Sequence, residues 1–529
     1  MLCVSIFTFA WTCALLGCIT SDASGVVPSG LQRGMPAVYT DLGPASPGQR
    51  LRALVALPIR DPDGLAATIA SIYDPSSPEF RNYLSADEWI ARHAPSESDV
   101  VLVQSWLESW GLAVPRVARN RLLLEITGTV ADFDRAFQTE LHLFERNDAS
   151  GHDAQDQTFG TLTDLYAPGS VAEHIASVVV ADLPAADTPL SHETGDVHDN
   201  PPPDGTSLSL AQVAHAYGID HLNDVGGGGQ GVSIGLVVGG TFRYVDVQSF
   251  WQAQGISRAD PEVVETMEPP ATRSRETTLD LEWAGGLAPA AELIVYQGPD
   301  AHDTSLVYAF NEAIGDGRVQ VLSDSFVQRE SAQPRAIHMA YDASARMAAA
   351  LGITVVAASG DAGQPAVPSS SPFVTAVGGT RLVVDAQGLV SSEEAWQLSG
   401  CGDALSFDAP DWQAGLAPGA GRRAVSDVAL NAGSSYWTYL SGSWKADTGT
   451  SFTSPAFAAL IAVVDSAREQ AGKPAVGFLN SLLYRDAQVQ QAFRDVVSGG
   501  TPEHAAGPGW DYPTGWGAPD AAALAEALP

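Results

Sequence analysis

The second half of the chain alternates short, almost wholly apolar runs with longer segments of helical periodicity. The apolar runs include VSIGLVV, AELIVYQ, VQVLSDSF and ITVVAASGD, each of a length that suits one strand. Strands that are apolar at every position are buried on both faces, as in a parallel sheet with helices packed on each side. The pattern therefore predicts an α/β/α domain over residues 207–529.

The first part of the chain has a different pattern. Residues 28–185 mix strand-like runs such as LRALVALP and NRLLLEITG with helical runs such as DGLAATIASIYD, which predicts a separate, mixed α/β domain. Residues 186–206 are polar, acidic and rich in proline, and we interpret them as a linker.

The first 24 residues form an apolar run of signal-peptide length that ends in small residues, so we expect the protein to be exported. Leu15–Cys18 resembles a lipoprotein cleavage box, and acylation of Cys18 would keep the protein at the cell surface. Cleavage near Ala23 would instead release it, and both alternatives stay open. Three of the four cysteines lie in this segment, so Cys401 cannot form a disulfide within the mature chain. A metal ion is then one candidate for stabilising an exported protein.

Charge is strongly one-sided. The chain has 27 Lys and Arg against 62 Asp and Glu, a formal net charge of −35. This argues against nucleic acid or an anionic membrane surface as a partner. The excess of acidic residues is explained either by solubility or by function at acid pH, where many carboxylates are neutral.

The string TGTSFTSP places Ser451 directly before the apolar run AFAALIAVV, as expected for a nucleophile at the start of a buried helix. A serine nucleophile needs a base. Although there are eleven histidines, no Asp-Thr-Gly follows the first strand of the second domain and no His-Gly-Thr opens a helix, as a subtilisin-type triad would require.

Two carboxylates offer an alternative base. Glu276 and Asp280 are four residues apart in a helical segment, so both lie on one face, whereas Glu282 points elsewhere. A third carboxylate, Asp361, follows the buried strand ITVVAAS in a tight turn. That position is the carboxyl edge of a parallel sheet, where sites are commonly built. Taken singly, these residues also fit a solvated acidic face and a turn-forming aspartate.

Together these strings resemble the sedolisin family of serine-carboxyl peptidases. ETTLD, ASGDAG, PSSSPFVTAVGGT and TGTSFTSP match its catalytic core, whereas ALPIRDPDGL, DPSSPEFRNYLSADEW and DRAFQTEL match its kumamolisin-type activation domain. The resemblance implies a subtilisin-like fold in which glutamate replaces histidine, preceded by a ferredoxin-like pro-domain that inhibits the enzyme intramolecularly. It also implies roles for four residues: Ser451 as nucleophile, Glu276 as base, Asp280 as the residue that orients the base, and Asp361 as oxyanion-hole donor.

The chemistry of these roles favours activity at acid pH. Below about pH 5 an imidazole is protonated and cannot act as a base, whereas a glutamate is poised to do so. Asp361 can donate to an oxyanion only as the neutral acid.

Near the C-terminus, FRDVVSGG and AAGPGWDYPTGWGAPD resemble the calcium site of the same family. The resemblance implies one Ca²⁺, bound by the side chains of Asp495 and Asp511 and by the main-chain carbonyls of Val496, Gly507 and Gly509. Such an oxygen donor set suits calcium.

Two strings depart from the family pattern. Ser323-Asp324-Ser325-Phe326-Val327 stands where relatives commonly have Ser-x-Ser-Trp-Gly, and Ser399-Gly400-Cys401-Gly402 replaces a run of glycines. Losing an aromatic residue from the cleft wall would reshape a subsite.

The sequence thus predicts an exported zymogen of an acid-active serine-carboxyl endopeptidase. Protein and peptide substrates are its expected partners, and we expect a monomer after processing in the linker. The alternatives are a Ser-His-Asp subtilase and a non-catalytic calcium-binding surface protein.

Overall fold

The computed structural model describes residues 24–26, 35–147, 157–182, 207–270, 272–385, 388–416 and 421–529. Residues 1–23 of the predicted leader (residues 1–24), with Cys18, and the predicted linker over 186–206 lie outside the described residues.

The described residues of the first unit form three antiparallel sheets and a set of short helices. Its strands are β1 Ser24–Val26, β2 Tyr39–Pro44, β3 Arg50–Ala56, β4 Ala113–Val117, β5 Leu123–Thr129, β6 Leu141–Arg146, β7 Gln157–Thr161, β8 Tyr166–Pro168 and β9 Ser177–Asp182. Its helices are α1 Pro62–Ile72, α2 Ala86–His93, α3 Glu97–Ser109, α4 Val130–Phe137 and α5 Gly169–Ala172. Helices α2, α3 and α4 each begin with a capping box, in which a serine or threonine and an acidic residue three positions later cap each other's main chain.

The largest sheet of this unit has the order β4-β5-β3-β9. Helices α1 to α3 connect β3 to β4, and α4 and α5 lie between β5 and β9. This β-α-β-β-α-β arrangement is ferredoxin-like, which confirms the predicted fold of the activation domain. Buried side chains of the sheet and of α3 and α4, among them Val55, Leu107, Ile126, Phe133 and Phe137, form its core.

The second unit is larger and is built on a mostly parallel sheet. Its strands are β10 Ser233–Gly239, β11 Glu262–Glu265, β12 Glu292–Gly298, β13 Val321–Asp324, β14 Gln328–Arg329, β15 Thr354–Ala358, β16 Ala366–Val367, β17 Thr375–Val384, β18 Val390–Ala395, β19 Gly402–Asp408, β20 Arg422–Val425, β21 Val428–Asn431, β22 Tyr436–Leu440, β23 Ser443–Asp447, β24 Phe493–Arg494 and β25 Ala518–Pro519. Its helices are α6 Leu210–Ala216, α7 Ile219–Gly226, α8 Tyr244–Ala253, α9 Arg275–Leu287, α10 Asp303–Asp316, α11 Arg335–Leu351, α12 Thr453–Gln470, α13 Asn480–Arg485, α14 Ala487–Gln490 and α15 Ala521–Ala527.

The central sheet has the order β11-β12-β10-β13-β15-β17-β18, with β21 also paired to β17. All its pairs are parallel except the pair of β17 with β18. Helices α9 and α12 pack with one core cluster, and α10 and α11 pack with the other. This is the α/β/α subtilisin-like arrangement that the apolar strand pattern and the resemblance predicted.

Helix α12 is the central helix of this unit. The segment Thr450–Gln470 is long and apolar enough to cross a membrane by length and composition, yet 89% of its apolar 18-residue window is buried in the fold, as in the core helix of a folded domain. Because β13 and β15 are adjacent and parallel, their carboxyl ends and the start of α12 meet at one edge of the sheet.

The first unit packs on the α10–α11 face of the second. Tyr73 donates a hydrogen bond of 2.9 Å to the carbonyl oxygen of Ala349 and accepts one of 2.8 Å from the N–H of Phe478. The Arg81 guanidinium, which is 7% exposed, donates to the carbonyl oxygen of Ala475 at 2.6 Å. Aromatic and guanidinium groups of the first unit thus satisfy main-chain groups of the second.

A charged cluster joins the same two units. Glu125, which is fully buried, lies 3.2 Å from Arg52 and 2.6 Å from Arg116. The two arginines also contact Glu268 of the second unit, at 2.6 Å and 3.3 Å.

Candidate active site

Ser451 lies in a 3₁₀ turn, Thr450–Phe452, immediately before α12. The next residue, Phe452, is 1% exposed and stacks on Tyr436, with ring centroids 4.3 Å apart and an interplanar angle of 7°. Trp283 meets Phe452 edge-on at 6.0 Å. These aromatic contacts fix the main chain on which Ser451 is presented.

Hydroxyl groups fix the first turn of α12 on the strands. Thr453 Oγ1 donates to the carbonyl oxygen of Val377 at 3.1 Å, and Ser454 Oγ lies 2.8 Å from Ser323 Oγ. The three side chains are buried, so their hydrogen bonds are shielded from water. The turn that holds Ser451 is therefore tied to β13 and β17 at the carboxyl edge of the sheet.

The predicted acid pair lies at the start of α9. Ser274 caps the helix by accepting the N–H of Thr277 at 3.3 Å, and Glu276 falls in the first turn. Asp280, one turn later, is 1% exposed. Burial, and next the neighbouring charge of Glu276, raise the pKa of Asp280 well above its usual range. The helix thus places two carboxyl groups side by side in a site with little access to solvent.

Ser325 connects this acid pair to the nucleophile. Its hydroxyl donates to Asp280 Oδ1 at 2.6 Å and lies 3.2 Å from the carbonyl oxygen of Ser451. The hydrogen bond to Asp280 opposes the rise in the pKa of that carboxyl group. Ser325, after β13, therefore contacts both Asp280, on α9, and the main chain of Ser451, before α12.

Glu282, on the same helix, has different neighbours. It is fully buried, and its two carboxylate oxygens accept the N–H of Tyr439 at 3.1 and 3.2 Å. Burial raises the pKa of Glu282 well above its usual range. Its carboxylate thus serves the β22–β23 hairpin and not the Glu276–Asp280 pair.

Asp361 follows β15 and contacts the residue before the nucleophile. Its Oδ1 atom accepts hydrogen bonds from the N–H of Thr450 at 2.8 Å and from Thr450 Oγ1 at 2.6 Å. Since Oδ1 already accepts these two, a proton on Asp361 would reside on Oδ2. Gly449 has a φ of +146°, and a Cβ atom there would lie 2.8 Å from Asp361 Oδ2. Glycine thus leaves room for the carboxyl group next to Ser451.

The histidine side chains of the described residues have other neighbours. Their contacts include Asp41 for His142, Asp220 for His215 and Ser406 for His338, and Ser451 is not among their hydrogen-bond partners. The buried histidine His338 lies 2.5 Å from Ser406 Oγ, and burial lowers its pKa to about 4.

Asp324 is a functional candidate that the sequence argument did not identify. It is fully buried at the end of β13, and its Oδ1 atom accepts the N–H of Phe326 at 2.9 Å. Burial, and in addition the charge of Glu276, raise the pKa of Asp324 well above its usual range. The signal in the sequence was the polar string Ser323-Asp324-Ser325 inside an otherwise apolar strand.

The predicted calcium ligands come together in the C-terminal loops. Asp495 Oδ2 accepts the N–H of Gly509 and Asp511 Oδ2 accepts the N–H of Gly507, both at 2.8 Å. Burial raises the pKa of Asp511, and the nearby charge of Asp495 adds to the shift. Val496, next to Asp495, is 2% exposed.

This arrangement fits a calcium ion. A Cβ atom built at Gly507 or Gly509 would meet nothing within 4 Å, so the space beside the two glycines is open. The carboxylates of Asp495 and Asp511, together with the main-chain carbonyls that the resemblance implies, would form the oxygen donor set that calcium prefers. The described residues contain no group of three or more His, Cys, Asp or Glu side chains that could hold a metal ion. Binding here would therefore depend on the main-chain oxygens.

Comparisons with known proteins agree with this architecture. The family model "Pro-kumamolisin, activation domain" matches residues 37–182, and the model "Subtilase family" matches residues 271–517. Kumamolisin of Bacillus sp. (strain MN-32) is 30% identical over 92% of this chain and 93% of its own length. Sedolisin of Pseudomonas sp. (strain 101) is 26% identical over 90% and 87%, and tripeptidyl-peptidase 1 of Bos taurus is 26% identical over 94% and 95%.

A solved structure gives the same result. Pseudomonas sedolisin, a serine-carboxyl proteinase complexed with two molecules of pseudo-iodotyrostatin, superimposes with a TM-score of 0.53 at 26% sequence identity. The match covers 61% of this chain and 98% of that one. With its activation domain and its subtilisin-like domain, the chain belongs to the sedolisin family of serine-carboxyl peptidases and is a serine-type endopeptidase made as a zymogen.

Proposed function

We propose that the protein is an acid-active endopeptidase in which Ser451 is the nucleophile, Glu276 the general base, Asp280 its orienting partner and Asp361 the oxyanion donor. The observation that best supports this assignment is the hydroxyl of Ser325, which contacts both Asp280 and the main chain of Ser451. It ties the acid pair to the turn of the nucleophile.

The reaction follows from these proposed roles. Ser451 Oγ attacks the carbonyl carbon of the scissile peptide bond while its proton passes to the Glu276 carboxylate. The negative charge that develops on the carbonyl oxygen is stabilised by the proton on Asp361 Oδ2. Glu276 then gives its proton to the leaving amine, and the C–N bond breaks. Water attacks the acyl-enzyme by the same route and regenerates Ser451.

Acid pH suits every step. Asp361 donates a hydrogen bond only when protonated, and Glu276 accepts a proton only when ionised, so the working range lies near the pKa values of carboxyl groups. The buried carboxyl groups of Asp280 and Asp324, both with raised pKa, leave fewer negative charges in the site at such pH.

The test is proteolysis by the full-length protein and by Ser451→Ala, incubated with casein at about pH 4 and about pH 8. We expect the wild type to mature and clear casein at the acid pH, while Ser451→Ala stays a full-length precursor. Maturation of Ser451→Ala in the absence of another protease would overturn the assignment. Activity rising above neutral pH would favour a histidine base, and no activity at all would favour a non-catalytic calcium-binding protein.

We propose, further, that one Ca²⁺ stabilises the C-terminal loops, held by the side chains of Asp495 and Asp511 and by carbonyls of Val496, Gly507 and Gly509. When bound, it would supply positive charge that relieves the repulsion between the two carboxylates. A ligand that binds the folded state alone raises the melting temperature. Calcium should therefore raise the Tm of Ser451→Ala, and the increase should vanish in Asp495→Asn. Identical melting curves with calcium and with a chelator would contradict the site.

Export and processing complete the proposal. The leader would direct the chain out of the cell, either free or anchored through Cys18, and cleavage within 186–206 would separate the pro-domain from the enzyme. Sequencing the N-terminus of the mature protein tests the cleavage site. A mature start within residues 276–280 would overturn it.

A further inference from the structure

Ser399 joins three segments of the catalytic domain by one buried hydroxyl. The residue is fully buried. Its Oγ atom accepts the N–H of Gly379, on β17, at 2.9 Å and donates to the carbonyl oxygen of Pro513 at 3.0 Å. Both hydrogen-bonding functions of the hydroxyl are thus used, and water cannot replace either of them.

The residues beside Ser399 clamp the turn that carries Asp361. The N–H of Gly400 donates to the carbonyl oxygen of Gly360 at 2.7 Å, and the N–H of Gly363 donates to the carbonyl oxygen of Leu398 at 3.1 Å. One bond lies on each side of Asp361. The approach is so close that a Cβ atom at position 400 would lie 1.9 Å from the carbonyl oxygen of Ser359.

On its other side, Ser399 contacts the C-terminal loop. Asp511 Oδ1 accepts the N–H and the hydroxyl of Thr514, each at 2.9 Å, and so closes a tight turn around Pro513. The carbonyl oxygen of Tyr512 accepts the N–H of Ser426 at 2.9 Å. The Pro513 carbonyl that Ser399 binds is therefore placed by the same aspartate that we assign to the calcium site.

We propose that Ser399 is a positioning residue: it couples the conformation of the C-terminal loop to the orientation of the Asp361 side chain. The contacts run from Asp511 through Pro513 to the Ser399 hydroxyl, and from Gly400 to the turn that presents Asp361. The inference rests on the proposed role of Asp361 as oxyanion donor. Because the clamp acts on the oxyanion side, it should affect turnover more than substrate binding.

The first test compares Ser399→Ala with a matched control, Ser344→Ala. Ser344, on α11, is also buried, and its hydroxyl donates to Asn311 Oδ1, on α10, at 2.9 Å. Both variants should lose thermal stability. Only Ser399→Ala should lower kcat, by roughly 10-fold or more with KM within about twofold. Ser399→Thr, which keeps the hydroxyl, should restore most of the loss, and Ser399→Cys, a weak donor of similar size, should fall between. Equal kcat in Ser399→Ala and wild type, or equal kcat losses in Ser399→Ala and Ser344→Ala, would overturn the proposal.

The second test asks whether Ser399 acts through Asp361. Ser399→Ala should cost no further kcat when introduced into Asp361→Ala, because the group that it positions is already missing. Additive losses would overturn the positioning role. If Asp361→Ala itself had wild-type kcat, the oxyanion assignment would fail instead, so the two failures are distinguishable.

The third test uses calcium and chelator. Calcium should raise the Tm of both wild type and Ser399→Ala, but it should change kcat in the wild type alone. A calcium effect on kcat of the same size in both proteins would contradict the coupling. A rise of Tm without any effect on wild-type kcat would also contradict it.

Discussion

Ser325 Oγ donates a hydrogen bond of 2.6 Å to Asp280 Oδ1, inside a site where Asp280 is 1% exposed. Replacing Ser325 by alanine would leave this carboxyl oxygen without its donor in a place that water does not reach. We expect kcat to fall roughly 10- to 100-fold with little change in KM, since Asp280 acts by orienting the base. Ser344→Ala is the matched control, because Ser344 is also buried and its hydroxyl donates to Asn311, away from the acid pair. Equal kcat losses in the two variants would mean that a general loss of stability, and not the acid pair, was responsible.

Glu276→Gln should be far more damaging than Glu282→Gln. The first substitution removes the proposed base, which should cost roughly 100- to 10,000-fold in kcat. The second keeps an oxygen that can accept the N–H of Tyr439, so the folded enzyme should retain its turnover. Steady-state kinetics on protein shown to be folded by circular dichroism distinguishes the two. Comparable losses would show that the wrong carboxylate has been assigned as the base.

Asp361→Asn should be partly tolerated and Asp361→Ala should not. In the asparagine variant the amide oxygen can keep the two hydrogen bonds from Thr450, which places the NH₂ group where Oδ2 now lies. That group donates without needing a proton from solvent, so activity should extend to higher pH. The alanine variant should lose roughly 100- to 1,000-fold in kcat, as on removing one oxyanion donor. An alanine variant near wild-type activity would reduce Asp361 to a turn residue.

Much of the fold could be predicted from the sequence because its signals are local. The runs VSIGLVV and ITVVAAS are apolar at every position, and only a sheet covered on both faces accommodates such strands. The acid pair was also local, since Glu276 and Asp280 are one helical turn apart. The resemblance then brought Ser451 and Asp361 to the same site.

The contacts that the sequence did not predict join residues distant in the chain. Ser325 meets Asp280 across 45 positions and Ser399 meets Pro513 across 114, so both depend on the order of strands in the sheet and on loop packing. Asp324 was missed for another reason. A polar residue between two serines at a strand end suggests exposure, yet this residue is fully buried, on the opposite face of the strand from its two neighbours.

The zymogen should be more stable at about pH 5 than at about pH 8, because it contains buried carboxyl groups. Burial raises the pKa of Glu312 and of Asp465 to about 7, from ordinary values of 4.5 and 3.8. A carboxyl group whose folded pKa is raised contributes its stability below the unfolded pKa and loses it as pH rises through the folded value. Ionisation of each group would then lower the free energy of unfolding by at most about 3–4 kcal/mol. His338 has the opposite effect on the pH dependence of stability. Burial lowers its pKa from 6.5 to about 4, so the stability that the neutral imidazole contributes is lost as pH falls through that range.

The pH dependence can be measured on Ser451→Ala, which should not digest itself, by thermal melting from about pH 4 to about pH 8. In that background Glu312→Gln should raise the Tm at the alkaline end and leave it nearly unchanged at about pH 5, since the amide has no charge to bury. His338→Gln should raise the Tm at about pH 4 and not at neutral pH. Glu108→Gln, on the exposed side of α3, is the control and should change neither end. A Tm that fell steadily from pH 8 to pH 5, or a Glu312→Gln effect of equal size at both ends, would show that these buried groups do not set the acid preference of the fold.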